Sequence, residues 1–195
     1  MKRRLHNLAL ALVSLCFLLS PIVFSYPAFA ESLPRPNAKS DPVLLRKWID
    51  KIDSLIEKNG ATANNFGSKG QLFEWLHEPE AAIEQYSRAI KLNPDNVDFF
   101  VGRARSYRAL EKWKEAISDY SLAISRGAKE PETYIGRSLA ELALSNFNGA
   151  YSDANKAIEI NPKESIAWLA KGNAELELGK VSESVVSLSK AIELN

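Results

Sequence analysis

Cysteine occurs once, at Cys16, inside an uncharged apolar stretch near the N-terminus. That count rules out a disulfide framework within the chain and a Cys/His metal site. A lipid-bearing cysteine would need a small residue just before it, and Leu15 is not small. Histidine is nearly as scarce, with only His6 and His77, so no imidazole cluster exists for a metal or a proton relay. His77 falls where a helix should end and reads as a loop residue. The sequence has no glycine-rich phosphate loop following a strand, and no nucleophile elbow. Charge of one sign is also missing, with 25 Lys and Arg against 24 Asp and Glu, and no basic stripe carries interleaved aromatics, so nucleic acid is not implied. No catalytic residue, cofactor or metal is therefore expected, and the chain does not read as an enzyme. Glu141 and Glu175 stand at equivalent places, and the expectation for both is a solvated surface carboxylate.

Long hydrophobic runs are confined to one place. Lys2, Arg3 and Arg4 precede an uncharged run from Leu8 to Leu19, and Ala28-Phe29-Ala30 follows. A basic front, an apolar middle and an A-x-A end predict a signal peptide over 1–30, cleaved after Ala30. The alternative is an uncleaved anchor. The uncharged stretch from Leu8 to Phe24 is 17 residues, short of the roughly 20 that span a bilayer comfortably, and Pro21 and Pro27 interrupt it. Export places the mature chain in the periplasm. The end of the signal resembles cyanobacterial export signals, which would make the destination a thylakoid lumen. Without its three N-terminal cations the chain carries 22 Lys and Arg against 24 acids. Residues 31–39, with Pro34 and Pro36, read as a flexible linker.

What the chain does have is a repeat. Glu80 to Pro94 (EAAIEQYSRAIKLNP) returns at Glu115, Gly149 and Glu183. Ala82, Ala116, Ala150 and Ser184 lie 34 residues apart, as do Ala89, Ala123, Ala157 and Ala191. Ahead of each stretch an aromatic recurs at Phe66, Phe100, Tyr134 and Trp168. A cation follows three residues later, at Lys69, Arg103, Arg137 and Lys171. The apolar spacing of three and four makes both halves of each unit helical. Small residues allow two helices to approach to about 8 Å, while Tyr86, Tyr120 and Leu188 fill the wider gaps. The recurring cations read as scaffold, their stems packed along the helices and their heads in water.

Together these residues, over Ala63 to Asn195, resemble the tetratricopeptide repeat (TPR) family, whose helical pairs recur with this period. The resemblance implies an all-α, right-handed α-solenoid of about four repeats (63–96, 97–130, 131–164, 165–195). A capping helix over 40–60, started by Asp41 and Pro42, would precede them. Departures from the family pattern are Ser184 for alanine, Ala128 for the proline of Asn93-Pro94 and Asn161-Pro162, and Pro79 where Trp113 and Phe147 sit later.

The family implies an interaction module that binds a protein or peptide segment in a concave groove lined by the first helix of each pair. Carried onto this chain, the groove residues are Trp75, Arg105, Arg108, Ile135, Leu139, Leu142, Leu169, Asn173 and Leu176. The aliphatic half would take an apolar segment, and Arg105 with Arg108 would select an acidic neighbour. The carboxylate clamp of chaperone-binding relatives is not expected, because Gly102, Gly136 and Leu169 stand where it needs polar side chains. Alternatives are an assembly factor for a membrane complex, held by an uncleaved signal segment, or an accessory subunit of a cell-envelope enzyme. Val185, Val186, Leu188 and Ile192 on the last helix form a candidate homodimer surface, diluted by Ser184, Ser187 and Ser189.

Overall fold

The computed structural model describes residues 41–195; the predicted signal segment and linker lie outside the described residues. Among those described, nine helices and no strand are present. Helix α1 (Pro42–Asn59) stands first. Four pairs follow: α2 (Ala63–Trp75) with α3 (Pro79–Leu92), α4 (Val97–Ala109) with α5 (Trp113–Ser125), α6 (Pro131–Ala143) with α7 (Phe147–Ile160), and α8 (Ser165–Glu177) with α9 (Val181–Glu193). Each helix packs on the next, and the first helices of successive pairs also touch one another, α2 on α4, α4 on α6 and α6 on α8. The result is an α-solenoid.

Local chemistry sets the helix ends. Asp41 Oδ1 accepts the Val43 N–H at 2.9 Å with Pro42 at the first helical position, a cap followed by a residue whose missing N–H costs nothing there. Within every pair the turn uses a left-handed residue: His77, Glu111, Ser145 and Gly179, at φ 57, 56, 61 and 80°. Each is closed by two backbone bonds, as in Ser145 N–H to Leu142 C=O at 3.0 Å and Asn146 N–H to Glu141 C=O at 2.9 Å, which satisfies carbonyls the helix end would orphan. His77 is thus a turn residue, as the sequence indicates.

The recurring small residues are closed in. Ala82, Ala116, Ala150, Ala89, Ala123 and Ala157 are fully buried. Ser184, the one substitution, donates its hydroxyl to Gly172 C=O at 2.8 Å, and at the equivalent crossing Ser138 donates to Ala150 C=O at 2.8 Å. The hydroxyl has changed helices while its bond has been kept. Tyr86 and Tyr120 are buried between first helices. A Cβ at Gly70 would lie 2.9 Å from the Tyr86 ring, one at Gly102 would run into the other side of that ring, and one at Gly136 would lie 2.8 Å from Tyr120 Cε1 and closer still to its Cζ and Oη. The glycines at 102 and 136, which argue against a carboxylate clamp, are therefore seats for tyrosine rings.

The recurring cations hold the frame, but not with their heads in water. Arg103 makes a two-pronged pair with Asp119 at 2.7 and 2.8 Å and donates to Ser87 Oγ at 3.1 Å. Arg137 repeats this with Asp153 at 2.6 and 2.8 Å and Ser121 Oγ at 3.0 Å. Every partner lies sixteen positions before or after the arginine, so each guanidinium ties a first helix to the second helices on both sides. Lys69 reaches back to Asp53 on α1 at 2.6 Å, and Lys171 approaches Glu175 at 3.8 Å. The scaffold role stands; the solvated head does not, because Asp119 and Asp153 are buried and a buried carboxylate needs a hydrogen-bonded counter-charge.

Candidate functional site

The predicted groove residues all lie on the layer of first helices, but they do not form one surface. At the N-terminal end Arg105 on α4 pairs with Glu74 on α2, Nε to Oε1 at 3.1 Å and Nη2 to Oε2 at 2.9 Å. Tyr86 from α3 donates its hydroxyl to the same Glu74 Oε2 at 2.7 Å, and Arg108 Nη1 donates to Tyr120 Oη at 3.5 Å. Burial works against the Arg105 proton, yet Glu74, and then Tyr86, more than reverse this and hold it firmly. Burial, then Glu74, keeps the Tyr86 phenol well above its usual range, so it remains a donor. This corrects the expectation that Arg105 selects an acidic partner: Glu74 already holds its guanidinium. Trp75 is half-buried at the end of α2.

Further along, Ile135 is only 7% exposed and packs in one cluster with Ala157 and Ala167, flanked by Leu139 and Ile166. It belongs to the seam between α6 and its neighbours, not to the groove wall. The same seam on α2 is built with the sizes exchanged, where Gly67 receives the ring of Phe99. Leu142, Leu169 and Asn173 are half-exposed, and Leu176 is 39% exposed. The three leucines, with Leu139 at their edge and the Asn173 amide beside them, are the aliphatic stretch that the structure leaves accessible.

The two equivalent carboxyls are not solvated. Glu175 is buried and receives the Ser187 hydroxyl at 2.7 Å beside Lys171. Glu141 is buried too, and its Oε2 has no hydrogen-bond partner. Burial, and next the Asp153 carboxylate, raise its pKa to about 7, with Arg137 opposing.

On α9, Val185, Val186 and Ile192 are 60, 67 and 79% exposed. Leu188 is not with them: its side chain lies against Gly172 of α8. Ser184 and Ser187 face inward, so they do not dilute the outer face as the sequence suggests; Ser189 does.

Sequence reasoning missed Glu74, Asp119 and Asp153 as partners. The signal was present for the two aspartates, each sixteen residues after a recurring arginine. Glu74 and Arg105 are 31 apart on adjacent first helices, and nothing repeats that pairing: Arg108 faces a leucine register at Leu139, and Leu142 an asparagine register at Asn173.

The fold is that of a helical-repeat solenoid. The tetratricopeptide repeat family model matches residues 69–131, and the fold is that of a tetratricopeptide-repeat solenoid. Similar solved structures include MamA, at 18% identity over 77% of this chain and 88% of that one, with a TM-score of 0.72. YrrB, described as a TPR protein with an unusual peptide-binding site, is 20% identical over 75% of this chain and 76% of its own, with a TM-score of 0.68. A thermophilic TPR protein from Thermus thermophilus is 23% identical over 69% of this chain and 75% of its own, with a TM-score of 0.60. No curated protein matches the chain. Among the described residues no helix is long and apolar enough to cross a membrane.

Proposed function

We propose that the protein is an exported interaction module that binds an apolar protein or peptide segment along its first helices. The observation that carries this reading is the half-exposed aliphatic row of Leu142, Leu169 and Leu176 with Asn173 beside it. Of the helices that present it, α6 is tied to its neighbours by Arg137, and α8 is bonded to α9 through Glu175 and Ser187. Aliphatic anchors with a nearby amide suit an amphipathic helix or an extended apolar strand, gripped by pockets and by a main-chain hydrogen bond. A peptide-binding relative of the same fold, YrrB, adds support. Export rests on the first 30 residues alone, and N-terminal sequencing of the native protein should begin at Glu31.

Selection of a displayed random-peptide library on the mature chain tests the groove. Enriched peptides should carry aliphatic residues at helical or alternating spacing. Glutamate at Leu142 and Leu176 should abolish their binding, whereas glutamate at exposed Leu122 of α5 should not. Peptides that bind all three proteins equally would refute the groove.

A second contact surface is favoured by the outer face of α9, where Val185, Val186 and Ile192 are well exposed. Exposed apolar side chains grouped on one helix mark a candidate interface, and a two-fold dimer through α9 is the simplest closed arrangement.

A further inference from the structure

Residues twelve positions apart stand at corresponding places on the first and second helix of each pair: Phe73 and Gln85, Tyr107 and Asp119, Glu141 and Asp153, and Glu175 and Ser187, of which the last two pairs interact. Only the third of these sets two carboxyls against one another. Both are buried, Glu141 at 9% and Asp153 at 5% exposure. One cation serves them, and it is already committed: Arg137 grips both oxygens of Asp153 and directs a further N–H to Ser121. Glu141 Oε2 is left without a hydrogen bond. It lies in the space a side chain at position 149 would fill, 2.5 Å from where a Gly149 Cβ would stand, with Asn146 Nδ2 2.7 Å from the same point. The fourth pair shows the satisfied version, in which Ser187 donates to Glu175 and Lys171 stands beside it.

Two carboxylates and one guanidinium leave a buried net negative charge, and a proton on Glu141 removes it. We propose that Glu141 is a proton-operated catch in the third helix pair: as a carboxylic acid it lets α6 and α7 close on each other, and as a carboxylate it loosens them. The charges bearing on it are Asp153 across the seam on α7 and Arg137 one turn earlier on α6. Among the described residues neither α5 nor α8 adds a third. A pKa of about 7 places the change near neutrality. The direction follows from linkage: the native state keeps this proton after the unfolded chain has lost it. The pair is therefore tightest in mild acid, weakens as pH rises toward 7, and changes little above that. The seam concerned belongs to the pair that carries Leu139 and Leu142, but the catch itself needs no ligand to be observed.

The test uses the whole mature chain with carboxyl-labelled glutamate. Carbon resonances followed against pH should show Glu141 titrating near 7. Amide hydrogen exchange, corrected for its chemical pH dependence and referred to α8 and α9, should quicken in α6 and α7 by about tenfold between pH 6 and pH 8, the ratio set by the ionised fraction. Glu141→Gln should remove that difference. Asp153→Ser, which copies the fourth pair and releases Arg137 to Glu141, should also remove it and lower the Glu141 midpoint. A Glu141 midpoint below 5 in the unaltered chain overturns the proposal, as does equal exchange in α6–α7 and α8–α9 at both pH values. The carbon titration decides the matter even if a variant fails to fold.

Discussion

A single methyl group added at Gly136 tests how the solenoid is packed. In a helix interior, glycine to alanine normally stabilises by about 1 kcal/mol. Here the new Cβ would lie 2.8 Å from Tyr120 Cε1 and closer to its Cζ and Oη. The ring is 1% exposed, walled by Ala104, Ala116 and Ala140, and has nowhere to swing. Overpacking of this kind costs about 1–3 kcal/mol, and a pinned ring belongs at the upper end. The net expectation is a loss of about 2 kcal/mol, or a Tm lower by about 4–8 °C for a chain of this size. The third pair supplies the control, since Ala154 sits there between Ser138 and Ala170, both of which carry a Cβ. Tyr120→Ala with Gly136→Ala reproduces that arrangement. Tyr120→Ala alone should cost about 3–5 kcal/mol through its cavity, and in that background Gly136→Ala should become stabilising by about 1 kcal/mol. The coupling in the double-mutant cycle is then about 3 kcal/mol, read by urea denaturation. A Gly136→Ala protein that melts higher than the unaltered one, or a methyl worth the same in both backgrounds, refutes the reasoning.

Asp119→Ala strands the Arg103 guanidinium and should cost about 3–5 kcal/mol in urea unfolding, with much of it recovered when Arg103→Met is added. Ser145→Gly relieves a left-handed non-glycine turn and should raise stability by roughly 1 kcal/mol, visible as a higher melting temperature. The stability gap between Glu141→Gln and the unaltered protein should widen by about 3 kcal/mol from pH 4 to pH 8; a gap independent of pH would contradict the buried-acid assignment. If α9 mediates self-association, light scattering after size-exclusion chromatography should show a dimer at micromolar concentration and a monomer for Val186→Glu.

The repeat period and the alanine places carry the fold, because small residues at a fixed interval leave helices one way to stack. Ile135 was harder to place. It sits on the border between the groove and the seam, and which side it takes depends on Ala167 being small enough to admit it, a size exchange that Gly67 and Phe99 make in reverse. Leu188 and Ser187 occupy adjacent places, and a helix turns 100° per residue. The outer face, where the sequence places both, lies about 100° away, and Leu188 takes instead the gap-filling place that its register with Tyr86 and Tyr120 also predicts. The fate of Arg105 and Glu141 turned on partners 31 and twelve residues distant, across helices whose relative rotation no single helix encodes.

The sixteen-residue reach of the arginines makes chain length a variable. Remove residues 97–130, joining Asn96 to Pro131, and Arg137 finds Ser87 where Ser121 had been, while keeping Asp153. Tyr86 then slides beneath Gly136, the seat that Tyr120 has vacated. The one bond that does not transfer is that of Glu74, which would meet Leu139 in place of Arg105. A shortened chain carrying Leu139→Arg should therefore fold with three pairs and the same polar ties, with Thr133 standing against Gly67 where Phe99 had been. The molecule is in this sense written in interchangeable parts, and the Glu74–Arg105 contact is the place where one part has acquired an address.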